Sequence, residues 1–210
     1  MARRKRRFSD EDLAQVMVEI SGPLNWPFLF GNPNPVELDV GCGKGLFLVR
    51  AGAAHPEVNY LGIDWSRRYA RAAAERVLKA GLARNVRVTR ADARFLFAEC
   101  FPTASVQAVH VYFPDPWWKK RHKKRRLFTE AFVRDVLRVL QPEGKLHVAT
   151  DVQEYATEIF RLLETADGLR RLPPPPPTQP THDLDYLTHF ERKYRLEGRA
   201  IYRASYARAT

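Results

Sequence analysis

Glycines and acidic residues follow three successive apolar segments of the chain. The first segment carries Asp39 and leads into the loop 41–45, where every second residue is glycine. The second segment ends at Asp64, and Asp92 follows the third. Glycines permit a sharp turn and close approach of a ligand, and a carboxylate at the next strand end can accept both ribose hydroxyls of an adenosine. The pattern predicts an adenosine site formed by Asp39, Gly41, Gly43, Gly45, Asp64 and Asp92.

A fourth apolar segment ends in a rigid turn with acidic and aromatic side chains. Asp115 lies between two prolines, which restrict φ and so aim the carboxylate. Trp117 and Trp118 offer flat faces for a base to stack on, worth ~1–3 kcal/mol per base. The run 119–126 follows at once and contains only Lys, Arg and one His. We expect phosphate contacts from this run, namely from Lys120, Arg121, Lys123, Lys124, Arg125 and Arg126.

Alternating strands and helices must position these residues. Five β-α units are predicted, which indicates an α/β, Rossmann-like fold whose parallel sheet has helices on both faces. The predicted strands are 36–40, 58–63, 86–90, 106–113 and 144–149. The predicted helices are 46–54, 66–80, 93–99, 127–140 and 152–165. A polyproline stretch at 173–177 precedes an alternating pattern at 199–208 that is typical of an edge strand.

The loop 41–45 favours one adenosine cofactor over another. A dinucleotide site needs the spacing G-x-G-x-x-G, whereas this loop reads G-x-G-x-G. Asp39 would repel a pyrophosphate but suits a sulfonium ligand with a positive amino group, so S-adenosylmethionine is preferred to NAD. Two simpler interpretations stay open, in which Asp92 only caps its helix and Asp39 only pairs with a nearby base. Cys42 lacks a neighbouring His and is not predicted to be a nucleophile.

Charge distribution indicates the partner. The net charge is +11, and the runs 3–7 and 119–126 hold 12 of the 35 basic residues. The remaining 23 nearly balance 24 acidic residues. An excess confined to two short runs favours a polyanionic partner such as nucleic acid over a merely soluble surface.

Composition limits the remaining classes. The 210 residues contain no stretch of 18 apolar residues and no signal-peptide pattern, so we expect a cytoplasmic protein that does not enter a membrane. Cys42 and Cys100 form neither a disulfide framework nor a metal-ligand spacing, and no metal site is predicted. Four prolines break up the first 35 residues, which predicts a basic arm at 1–35 and one domain at 36–210.

Several motifs together resemble one family, that of the bacterial tRNA (guanine-N7)-methyltransferases. The most specific is the segment 113–126, which joins Phe-Pro-Asp-Pro-Trp to the basic run. The glycine loop is shared by most class I methyltransferases. The likeness spans residues 37 to about 205, and the other motifs that carry it are 38–45, 61–64, Asp92, 149–151 and 188–191.

The resemblance implies a class I methyltransferase fold with a mostly parallel seven-stranded sheet. It implies transfer from S-adenosylmethionine to N7 of a guanine in the variable loop of tRNA, position 46 in the tRNA count, by a monomer or homodimer. Asp115 would be catalytic and, with Asp39, Asp64 and Asp92, would line the cofactor site. Substrate contacts would come from Lys119, Asp151, Thr188, His189, Phe190 and Glu191. Asp151 could also cap the helix that follows it.

Two other functions stay open. An amino-group methyltransferase acting on adenine or cytosine carries an Asn/Asp-Pro-Pro-aromatic turn at the same strand end, and residues 115–117 resemble it. A non-catalytic RNA-binding protein with a vestigial nucleotide fold is the other possibility. The intact glycine loop, Asp64 and Asp115 favour an enzyme.

Overall fold

One eight-stranded sheet organises the chain. The computed structural model describes residues 8–174 and 188–210. The strands are β1 (Met17–Val18), β2 (Val36–Val40), β3 (Asn59–Asp64), β4 (Val86–Arg90), β5 (Val106–Tyr112), β6 (Leu140–Thr150), β7 (Leu169–Arg171) and β8 (Tyr202–Arg208). The helices are α1 (Asp10–Ala14), α2 (Trp26–Phe30), α3 (Leu46–Ala54), α4 (Arg67–Lys79), α5 (Ala93–Phe95), α6 (Glu130–Val139), α7 (Gln153–Glu164) and α8 (His189–Leu196).

Strand order brings the predicted site residues to one edge. The order is β1-β4-β3-β2-β5-β6-β8-β7, and the pairs from β1 to β6 are parallel. Strands β8 and β7 are antiparallel to their neighbours. The carboxyl ends of β2, β3, β4 and β5 therefore meet at one edge. This edge carries the glycine loop, Asp64, Asp92 and Asp115.

Helices cover both faces of the sheet, as expected. On one face of the sheet, α6 and α7 pack against buried strand residues such as Leu38, Val109 and Leu146 in a large apolar cluster. On the other face, α3 and α4 pack against Tyr60 and neighbouring residues of β3 and β4. Local signals set the helix ends: Ser66 caps α4, with its hydroxyl 3.4 Å from the Tyr69 N–H, and Gly81 with φ +69° follows it.

The alternating α/β prediction is confirmed, with corrections at its margins. The sheet has eight strands instead of seven, because β1 adds a two-residue edge beside β4. The alternating segment at 199–208 is not an edge strand, since β8 lies between β6 and the three-residue β7. The predicted helix at 93–99 is a short α5 followed by a π-helical turn at Leu96–Cys100.

The N-terminal segment packs against the edge of the sheet. Helix α1 begins with a capping box in which Ser9 and Asp12 exchange backbone–side-chain hydrogen bonds of 2.9 and 3.0 Å. Asp10 pairs with Arg71 of α4 at 2.7 Å. The division at residue 35 stays a prediction. The basic run 3–7 and prolines 175–177 lie outside the described residues, and within the described ranges no helix is long and apolar enough to cross a membrane.

Candidate active site

The glycine loop makes a tight turn at the end of β2. Gly41, Gly43 and Gly45 have φ of +77°, +53° and +70°, which favours glycine. The Gly41 N–H donates to the Ile63 carbonyl at 2.8 Å, which fastens the loop to β3. A Cβ at Gly41 would meet no heavy atom within 4 Å, whereas one at Gly45 would lie 2.9 Å from the Ala73 Cβ. Gly41 therefore faces open space, and Gly45 allows α3 to approach α4.

Asp64 joins the loop to the end of β3. Its carboxylate accepts hydrogen bonds from the Gly43 N–H at 2.9 Å and the Ser66 N–H at 2.8 Å. Burial raises the pKa of Asp64, and the negative charge of Asp115 adds to that rise. The two carboxylates are thus close enough to interact across the site. The predicted ribose contact of Asp64 stays a prediction, but the side chain is held at the predicted strand end.

Asp39 is a buried carboxyl group that no cation of the described residues pairs with. Only 3% of the residue is exposed, and within the described residues its Oδ2 has no hydrogen-bond partner. Burial, reinforced by the charge of Asp64, raises the pKa of Asp39 to about 8. The interpretation in which Asp39 merely pairs with a nearby base therefore finds no such base among the described residues. A cationic ligand group would supply the missing partner of this carboxylate.

Asp92 contacts a residue of its own segment, Arg94. It is the N-cap of α5, where its side chain accepts from the Arg94 N–H at 2.9 Å and pairs with the Arg94 guanidinium at 2.7 Å. The hydrogen bond from Arg94 lowers the pKa of Asp92. The capping role is confirmed, and the cofactor role of Asp92 stays a prediction.

The donor set of this edge fits S-adenosylmethionine. Asp64 and Asp115 place negative charge around a glycine turn that opens to solvent, and Asp39 adds a buried carboxyl group that a nearby cation would ionise. This set suits a ligand with positive sulfonium and amino groups. The same charges would oppose a pyrophosphate. An orphaned buried carboxyl oxygen at Asp39 is the observation that decides this fit.

The turn that carries Asp115 is strained and braced. Phe113 and Trp117 have backbone φ of +54° and +44°, a region that residues other than glycine rarely adopt. The Phe113 N–H donates to the Ala149 carbonyl at 2.7 Å, and Arg126 Nε donates to the Pro116 carbonyl at 2.8 Å. Asp115 itself is exposed. Backbone strain retained by bracing on both sides is typical of a functional site.

The two tryptophans differ in their surroundings. The Trp117 ring is half-buried; it makes an edge contact with His122 and lies 5.1 Å below the Arg125 guanidinium. Trp118 is 64% exposed. Trp118 is therefore the more accessible face for a base, and Trp117 is packed within the basic run.

The basic run forms a short 3-10 helix at Lys120–Arg125. Its exposed cations are Lys119, Arg121, Lys123, Lys124 and Arg125. Lys123 lies 3.5 Å from Glu158 of α7. Arg126 differs from the prediction: it is buried, contacts the Glu158 carboxylate and lies 4.6 Å from the centroid of the Tyr155 ring. Its guanidinium braces the turn instead of facing solvent, where a phosphate contact must be.

Asp151 does not cap α7. The N-cap is Val152, no side-chain cap bond is formed, and the capping interpretation is wrong. Asp151 is instead nearly buried and paired with Arg199. The side chain thus turns toward the C-terminal segment, on the same edge of the sheet as Asp115.

Residues 188–191 begin α8 beside the strained turn. The Thr188 hydroxyl accepts from the Glu191 N–H at 3.0 Å and caps the helix. Phe190 is 47% exposed, and its ring centroid lies 6.2 Å from that of Phe113. Glu191 is buried and lies 2.5 Å from Arg203. His189 is the first residue of α8.

Sequence reasoning missed the arginines that pair with Asp151 and Glu191. Arg199 and Arg203 belong to the alternating segment that precedes and enters β8. The only signal in the sequence is their four-residue spacing within an otherwise ordinary strand pattern. Pairing between separate elements is a tertiary contact, so this spacing did not identify their partners.

Solved structures define the class of the fold. The aminoglycoside resistance methyltransferase NpmB1 superposes with a TM-score of 0.57 at 16% identity, covering 95% of this chain and 91% of that one. A SAM-dependent methyltransferase from Aquifex aeolicus superposes with a TM-score of 0.52 at 22% identity, covering 66% of this chain and 74% of that one. The fold is that of a class I methyltransferase.

Sequence comparison narrows the class to a family. The family model described as "Putative methyltransferase" matches residues 33–204. The tRNA (guanine-N(7)-)-methyltransferase of Rhodopirellula baltica is 42% identical over 194 residues, which cover 90% of this chain and 71% of the relative. The chain belongs to the tRNA (guanine-N(7)-)-methyltransferase family.

Proposed function

We propose that this protein transfers a methyl group from S-adenosylmethionine to N7 of a guanine in the variable loop of tRNA, at position 46 in the tRNA count, and so forms 7-methylguanosine. The observation that carries the proposal is the placement of Asp115. Its strained turn lies between the acidic cofactor edge at Asp39 and Asp64 and the exposed cations of the run 119–125. A tRNA nucleotide bound there would turn its base toward the methyl donor. The neighbouring backbone phosphates would then lie against the basic run.

The main task of the protein in this reaction is to align guanine N7 with the methyl group of the cofactor. S-adenosylmethionine supplies an electrophilic methyl group on a positively charged sulfur. Guanine N7 has a lone pair and no proton, so the attack needs no general base. Asp115 can accept hydrogen bonds from the guanine N1–H and 2-amino group, which sets the rotation of the ring. Its charge also favours the positive charge that develops on the base.

Other residues prepare the two reactants. Asp39 in its ionised form would hold the positive end of the cofactor, and Asp64 would hold its ribose. Exposed cations of the basic run bind phosphates without reading the base sequence. The proposed tRNA substrate implies a cytoplasmic location. The residues named above all come from one chain, so the proposal fits a monomer or a homodimer.

A single product analysis tests the activity. Bulk tRNA incubated with labelled S-adenosylmethionine should give labelled 7-methylguanosine after digestion to nucleosides. Labelled N6-methyladenosine or N4-methylcytidine would establish the amino-group methyltransferase instead. Calorimetry without detectable binding of S-adenosylmethionine would establish the non-catalytic RNA-binding protein. Mapping the labelled nucleoside within one purified tRNA then tests the variable-loop position.

The positioning role of Asp115 predicts discrimination against inosine. A tRNA with inosine at the target position keeps N7 and N1–H but lacks the 2-amino group. Losing one charge-assisted hydrogen bond should lower kcat/KM about ten- to one-hundred-fold, from ~1.5–3 kcal/mol. Asp115→Ala should remove most of this discrimination, since the acceptor is gone. Equal methylation of both tRNAs by the parent enzyme would leave Asp115 as a brace of the turn only.

A further inference from the structure

Two buried carboxylates are held by arginines from the C-terminal segment. The side chains of Asp151 and Glu191 are only 8% and 4% exposed. Arg199 contacts Asp151, while Arg203 lies 2.5 Å and Arg195 3.0 Å from Glu191 Oε1. A carboxylate withdrawn from water needs such partners, and a guanidinium fixes its orientation more tightly than an ammonium does.

Antiparallel pairing places these arginines at the catalytic edge. Strand β8 runs against β6, with Tyr202 opposite Thr150 and Arg203 opposite Ala149. The beginning of β8 therefore lies beside the carboxyl end of β6, where Asp151 follows. A parallel last strand would begin at the other edge, far from the cofactor loop.

A chain of ring contacts joins the same arginines to the turn of Asp115. The Arg199 guanidinium lies 4.2 Å from the centroid of the Tyr194 ring. The Tyr194 ring lies 5.5 Å from the ring of Phe113, two residues before Asp115. Arg199 thus contacts a buried carboxylate and, through one aromatic ring, the strained strand end.

We propose that Arg199 and Arg203 are positioning residues for methyl transfer, which hold the buried Asp151 and Glu191 and so fix the end of β6 and the start of α8 beside the turn that carries Asp115. The inference rests on the proposed function and deepens it. Neither arginine contacts substrate in this proposal. Each acts through its carboxylate, so its removal lowers the rate of a correctly bound complex more than it lowers binding.

Steady-state kinetics on tRNA tests the role of Arg203. Arg203→Ala should lower kcat about ten- to one-hundred-fold, because a shift of about 1 Å at the start of α8 and the adjoining turn of Asp115 misaligns the nucleotide. The dissociation constant of S-adenosylmethionine, measured by calorimetry, should stay within about twofold. Arg203→Lys should recover part of the loss, since it restores the charge but not the fork. Arg170→Ala is the matched control, because Arg170 lies on the adjacent strand in an exposed pair with Glu143 at 3.0 Å.

Double variants separate positioning from folding. Adding Arg203→Ala to Glu191→Gln should cause no further loss of kcat, because Arg203 acts only through Glu191. Losses that multiply would overturn the proposal, as would parent-like kinetics of Arg203→Ala. Arg203→Ala could also bind no cofactor because it unfolds. Arg203→Lys is then introduced into the parent and into Glu191→Gln: no further loss of kcat in the second background supports the proposal, and losses that multiply overturn it. Arg199→Ala with Asp151→Asn repeats the cycle. A parent enzyme that fails to methylate tRNA contradicts the proposed function instead.

Discussion

At the residue scale, the cofactor edge has more carboxyl groups than its surroundings can keep ionised. Asp39 has a buried Oδ2 without a hydrogen-bond partner among the described residues, and its pKa is raised to about 8 by burial and by Asp64. A structural carboxylate in that position would be expected to have a paired cation. A positive ligand would supply that cation and favour the ionised form of Asp39.

This arrangement predicts proton release on cofactor binding. Below about pH 8 Asp39 is protonated in the free protein, and a bound cation favours its ionised form, so binding should release close to one proton at pH 6–7. Affinity should then rise by up to about tenfold per pH unit over that range and level off above pH 8. Calorimetry in two buffers of different ionisation enthalpy measures the release.

Asp39→Asn serves as the control for that experiment. The amide is close in size but does not titrate, so binding should be weaker and free of the proton release attributed to Asp39. Parent protein that binds the cofactor with no net proton change would contradict the assignment of Asp39 as the partner of the cationic ligand.

At the element scale, the glycine loop has a packing role beside its ligand role. A Cβ at Gly45 would lie 2.9 Å from the Cβ and 3.1 Å from the Cα of Ala73, so α3 can approach α4 only because position 45 is glycine. These neighbours cannot rotate away, as the end of a long side chain could. Gly45 therefore positions the loop indirectly, through the helix that follows it.

Gly45→Ala should destabilise the protein beyond the cost of its backbone conformation. We expect about 2–4 kcal/mol, from the left-handed φ and the clash with Ala73 together. For a chain of this size the melting temperature should fall by about 5–15 °C. Gly81→Ala is the matched control, because Gly81 has φ +69° but no heavy atom within 4 Å of its Cβ position. Equal losses in the two variants would exclude the helix contact as the cause.

At the scale of the whole molecule, the basic run 119–126 lies at the carboxyl edge of the sheet. The described run at 119–126 follows the carboxyl end of β5, beside the cofactor loop. Most of its cations are exposed, whereas Arg126 is buried against Glu158. The run therefore combines a brace for the turn with exposed cations, for which phosphate binding stays a prediction.

Salt dependence of tRNA binding tests this placement. Arg121→Gln with Lys124→Gln should reduce the slope of log K against log salt by about 1.5–2 units, because two phosphate contacts are lost. Cofactor affinity should not change. Lys79→Gln with Arg84→Gln removes the same charge near the amino end of β4, at the opposite edge, and should leave the slope near that of the parent. If both pairs change the slope equally, net charge and not the run governs binding.

The sequence by itself determined the alternating fold and the placement of the glycine loop, Asp39, Asp64 and Asp115 at the carboxyl edge of the sheet. These features are local, because strand periodicity, turn residues and an acid at a strand end are all set within a few neighbouring positions. Only the tertiary structure decided that Arg126 turns inward, that Asp151 pairs with Arg199 instead of capping α7, and that β8 lies inside the sheet. Each depends on which distant side chain is near enough to compensate a buried charge or complete a strand pair, and spacing along the chain does not encode that distance.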